Sequence, residues 1–173
     1  MGARIGPTCG TCSGSIYTLT FSTIGNEFRY HIYGDTSGYN GGGTLLDDVG
    51  FKISSADPTS VSLVKAPNSG DWTTFSGGIN AGGCDGSESK FICTAANSLS
   101  SAASVPDGTY AWVFDITTTG LFTGTNESSN KARYSDSSGN KVSASPFNPR
   151  HPPFPNRVLY FCSARAWLAC LVL

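Results

Sequence analysis

The strongest constraint in the chain is a run of alternation in its second half. From residue 109 to 117, Tyr110, Trp112, Phe114 and Ile116 take every second position, with Ala111, Val113 and Asp115 between them. A backbone that sends successive side chains to opposite sides turns this spacing into a strand with one face of large apolar groups and one smaller, more polar face. A helix would scatter the same residues around its circumference and leave no apolar stripe. The period recurs at residues 15–22, where Tyr17, Leu19 and Phe21 alternate with Thr18 and Thr20. It recurs again at 27–33, where Phe28, Tyr30 and Ile32 alternate with Arg29, His31 and Tyr33. Residues 23–26 are the expected turn between these two strands.

Further short strands are predicted at 49–54, 60–65, 72–75, 131–135 and 141–143. Turn chemistry separates them: a flexible loop at 34–43 that ends in three consecutive glycines, the pair Asp57-Pro58, and the hairpin-type loop 136–140. Residues 84–93 read as a cysteine-bracketed polar loop, and 95–104 as a connector of small residues. With no amphipathic helix of useful length, the pattern predicts an all-β fold: an antiparallel β-sandwich, jelly-roll-like, in a single domain with irregular tails. A chain of 173 residues is long enough for one such core and short for two. The expected organisation is an N-terminal extension at 1–14, the sandwich at 15–143, a proline-rich linker at 144–157 and an apolar tail at 158–173. Sixteen apolar-rich residues with Arg165 among them fall short of the ~20 that span a bilayer as a helix, so no stable membrane span is expected. The first residues lack the ~7–15 apolar positions of a secretory signal, so the chain as written carries no export signal.

Charge narrows the choice of partners. Only 13% of residues are charged, against roughly a quarter in ordinary soluble domains. The formal net charge is −1, and Lys and Arg are scattered singly. Such a chain offers no electrostatic footprint for phosphate backbones, and nucleic acid is not an expected partner.

Six cysteines, at 9, 12, 84, 93, 162 and 170, bear on the compartment. Cys84 and Cys93 flank a short polar loop, and a disulfide between them is expected, which implies an oxidising space. For Cys9-Gly10-Thr11-Cys12 three readings stay open: a structural disulfide, a metal site and a redox dithiol. The disulfide is favoured, because no helix follows for redox chemistry and no second ligand pair is at hand for zinc.

No local constellation suggests catalysis, and no catalytic residue, metal or cofactor is expected. His31 sits in a strand pattern and reads as a surface or edge residue. Asp47 and Asp48, with Asp35 across the glycine loop, offer oxygen atoms of the kind Ca²⁺ takes, yet they fit no EF-hand spacing and read as solvated loop acids. Tyr110 and Trp112 share a strand face with Phe114 and read as core. Trp72 is the aromatic expected to be exposed; with Tyr39 and Asp35 it makes the candidate ligand-binding set.

The segments Tyr110-Ala111-Trp112-Val113-Phe114-Asp115-Ile116-Thr117, Leu121-Phe122-Thr123-Gly124, Lys131-Ala132-Arg133-Tyr134 and Gly139-Asn140-Lys141-Val142 resemble those of PEP-CTERM sorting-domain proteins. Val49-Gly50-Phe51-Lys52-Ile53-Ser54, Ser62-Leu63-Val64-Lys65-Ala66-Pro67 and Gly77-Gly78-Ile79-Asn80-Ala81-Gly82-Gly83-Cys84 resemble the same group, so that the likeness spans about residues 9–143. It implies export by a Gram-negative bacterium, sorting by an exosortase, and a secreted or surface-associated, non-enzymatic role in the envelope, extracellular matrix or biofilm. Exopolysaccharide or other matrix components are the partners implied, and a carbohydrate-binding module is the alternative role. The chain departs from the family at Pro153-Phe154-Pro155-Asn156-Arg157, where Val-Pro-Glu-Pro belongs. A shift of reading frame after about residue 145 accounts for the difference, since the same codons read from the third base of the Pro153 codon can encode Val-Pro-Glu-Pro-Gly and an apolar run. On that reading Cys162 and Cys170 are accidental.

Overall fold

The computed structural model describes residues 2–5, 12–24, 27–52, 58–68, 71–80, 82–84, 91–119 and 130–142. Cys9, the proline-rich linker and the apolar tail with Cys162 and Cys170 lie outside the described residues. Among the described residues there are twelve strands: β1 (Gly2–Ile5), β2 (Ile16–Ile24), β3 (Glu27–Asp35), β4 (Leu45–Lys52), β5 (Pro58–Lys65), β6 (Trp72–Ser76), β7 (Ile79–Asn80), β8 (Gly83–Cys84), β9 (Phe91–Ala96), β10 (Ala103–Ser104), β11 (Thr109–Thr118) and β12 (Asn130–Ser135). They build an antiparallel β-sandwich.

The first sheet has the order β1-β2-β3-β11-β5. Its register pairs Tyr17 with Gly34, Leu19 with Ile32 and Phe21 with Tyr30, and then Ile32 with Trp112 and Tyr30 with Phe114, so the three alternating runs of the sequence lie side by side with their apolar faces aligned. Gly2–Ile5 pairs with β2, so the segment ahead of the alternating pattern adds an edge strand.

The second sheet is centred on β4. Leu46 pairs with both Tyr134 of β12 and Ala103 of β10, and Phe51 pairs with both Asn130 of β12 and Ile92 of β9. A strand has two edges, so β12 holds one edge of β4 while β9 and β10 share the other, with β6 beyond β9. The chain passes between the sheets after β3, β4, β5, β10 and β11.

Aromatic side chains tie the two layers. Phe51 of the second sheet meets Phe114 and Tyr30 of the first at 5.0 and 5.6 Å, and Trp72 meets Trp112 edge-on at 5.5 Å. Trp112, Phe114, Ile32, Phe51 and Leu46 are fully buried, so the core lies between the layers. At one end Tyr134 OH lies 3.0 Å from Tyr17 OH, 2.8 Å from Ser15 Oγ and 3.2 Å from the Cys12 carbonyl, a buried polar junction between sheets.

Two strand assignments need correction. Phe91–Ala96, read as part of a loop and a connector, is the strand between β4 and β6. Both its faces are covered and its residues are small or apolar without alternation, which hides it from a period-two reading. At the other end, Lys141 makes an isolated bridge to Ser135 rather than opening a strand.

Candidate functional site

The outer face of the second sheet carries the unusual chemistry. On β4, Leu46 faces Tyr134 and Asp48 faces Arg133, so Asp47 is an extra residue in a β-bulge. A bulge breaks strict alternation and lets two successive side chains lean to one side. Both carboxylates thus reach the same guanidinium: Arg133 Nη1 lies 3.2 Å from Asp47 Oδ2 and 3.1 Å from Asp48 Oδ2. Asp47 and Asp48 are 7% and 2% exposed, which corrects their reading as solvated loop acids.

The short β7–β8 hairpin covers this cluster. Ile79 packs on Gly50, where a Cβ would come within 3.1 Å of its side chain. Gly83 sits on the ion pair at φ +113°, and a Cβ there would lie 2.9 Å from Asp48 Oδ2. Glycine is required at position 83 for the hairpin to approach so closely, and at position 50 a Cβ would push Ile79 back by a few tenths of an ångström. A disulfide from Cys84 to the buried Cys93 of β9, with Cα atoms 5.6 Å apart, fastens the hairpin to the sheet as the loop spacing predicted. Cys12 is also disulfide-bonded, and Cys9 lies outside the described residues.

Burial dominates the electrostatics. Desolvation, reinforced by the neighbouring Asp47, pushes Asp48 up to about 6 against the pull of Arg133. Desolvation raises Asp47 as well. Asp47 Oδ1 and Arg133 Nε are buried and have no hydrogen-bond partner among the described residues.

A cavity of about 420 Å³ opens beside the hairpin, lined by Asp47, Asp48, Arg133, Phe75, Ala95 and Leu99 among others. Phe75, on β6, is 39% exposed and supplies an aromatic wall.

The residues expected to bind ligand do not gather here. Trp72 is a correction: it is 6% exposed, and its Nε1–H donates to the Ser101 carbonyl at 3.0 Å, so it is core and not a stacking surface. Tyr39 stacks on Tyr134 at 4.3 Å and its hydroxyl accepts the Gly43 N–H, so it closes the end of the sandwich. Asp35 is exposed and accepts both the N–H and the hydroxyl of Ser37, which hold it below the usual carboxylate range. Strand parity was the available signal for Phe75, because Trp72 and Phe75 fall on opposite faces of one strand. His31 lies on the outer face of the first sheet, stacked on Tyr33 at 6.2 Å. Among the described residues no group of three or more acidic, histidine or cysteine side chains is placed to hold a metal ion, and no helix is long and apolar enough to cross a membrane. Compared with known proteins, the chain matches no family model, no curated protein and no solved structure.

Proposed function

We propose that this chain is an exported, non-enzymatic β-sandwich of the bacterial envelope or extracellular matrix, acting as an adhesive structural module. The observation that carries this reading is the disulfide of Cys84 and Cys93, which forms and persists in oxidising compartments. The surface supports it. The outer face of the first sheet presents Thr18, Thr20, Ser60, Ser62 and an exposed Arg29–Asp115 pair beside exposed Ile16 and Tyr33, a mixed face suited to many weak contacts.

The test is to pass the full chain over films of matrix polysaccharide on a quartz-crystal balance while assaying the effluent for reducing ends. Retained mass without new reducing ends is expected. Release of reducing ends would overturn the non-enzymatic reading, and absence of retention on every film would overturn the adhesive one.

A further inference from the structure

The cavity beside the β7–β8 hairpin is more than a dent in the surface. Its lining crosses the sheet obliquely, from Phe75 on β6, which pairs with Cys93, over Ala95 on β9 and Asp47–Asp48 on β4 to Arg133 on β12. Three inter-strand steps give it a length of about 14 Å, which suits a short run of a polymer better than a single small molecule. Asp47, 7% exposed, and its ion-pair partner Arg133 both line it.

We infer that this groove is a binding site for the uncharged pyranose units of a polysaccharide, with Phe75 as the stacking surface and Asp47 and Arg133 as hydrogen-bonding groups. The inference rests on the adhesive reading above and names the place where adhesion occurs. Sugars combine hydroxyls that both donate and accept with flat apolar C–H faces. The groove offers the complement of each: carboxylate acceptors, guanidinium donors and an exposed ring. A basic peptide would need acceptors alone, and Arg133 already occupies part of both carboxylates. A uronate polymer would bring its own negative charge to two carboxylates sharing one guanidinium, an unfavourable meeting.

The test is affinity electrophoresis of the full chain through native gels containing dextran, mannan, hydroxyethylcellulose or alginate. Retardation by at least one of the three neutral polymers is expected, with none by alginate. Phe75→Ala removes an exposed ring and leaves the core untouched; it should weaken that binding at least tenfold. Asp47→Asn should do the same, with an unchanged melting midpoint certifying its fold, while Tyr33→Ala on the opposite face should have no effect. Neutral binding that survives both groove variants would overturn this inference and leave the adhesive reading standing. Retardation by alginate alone, or by none of the neutral gels, would overturn it too; loss of retention on every film is the separate result that removes the adhesive reading.

Discussion

The Asp47–Asp48–Arg133 cluster shows how much a single residue's surroundings decide. Folded Asp48 keeps its proton up to about pH 6, whereas the unfolded chain releases it near 3.8. Between those values the native state binds more protons, so the contribution of Asp48 to stability falls as pH rises across the window and stays low above it. The exposed Asp35, Asp71, Asp115 and Asp136, all held low by hydrogen bonds or an ion pair, act in the opposite sense at lower pH. The comparison of interest is therefore between Asp48→Asn and the wild type. The variant leaves one carboxylate for one guanidinium; it should melt at or above the wild-type temperature at pH 8 and lose the pH 4 to 6 slope, as read by calorimetry. Arg133→Met strands two buried acids and should cost about 3–5 kcal/mol at pH 8 in urea titration. Little of this was legible beforehand. The two aspartates follow a glycine-rich loop in the sequence, and only the bulge and the covering hairpin, both long-range features, bury them.

At the level of elements, period-two patterning found the strands with one wet face. β2, β3 and β11 lie where Tyr17, Phe28 and Trp112 begin or carry their alternation, because an antiparallel sheet with one solvated face writes that pattern into the chain. β9 has no such signature, since its residues are small or apolar on both faces and the hairpin is fastened over Cys93. The hairpin itself is two residues on each side and does not sit on the sheet by its own ladder. Ile79 on Gly50 and the disulfide hold it there. Replacing both cysteines by serine should lower stability by ~2–3 kcal/mol, the loop-closure value for a short loop. Hydrogen exchange should show β2, β3 and β11, which exchange through global unfolding, losing protection by that amount, and Asn80, Gly83 and Cys84, freed locally, exchanging faster still. Unchanged protection in those three strands would mean that the disulfide constrains the hairpin alone.

Over the whole molecule, the fold is a core of rings between two sheets with different outer faces. Trp112 joins those sheets through Trp72, and Trp112→Ala should cost ~3–5 kcal/mol in denaturant titration. The five prolines between 146 and 155 cannot feed a sheet ladder, so ending the chain after Ser145 should leave the melting midpoint unchanged. The first sheet turns out a mixed face of hydroxyls, one ion pair and exposed Ile16 and Tyr33, and the second turns out a charged groove beside the hairpin. If binding is the purpose of this asymmetry, ligand contacts must fall on the groove side. Amide chemical-shift mapping of the full chain, titrated with oligosaccharides from whichever neutral polymer retards it, examines this most directly. Shifts should cluster at Asp47, Asp48, Phe75, Ala95 and Arg133 and spare Arg29, His31 and Tyr33; shifts confined to the first sheet's outer face, or none at saturating oligosaccharide, would contradict it.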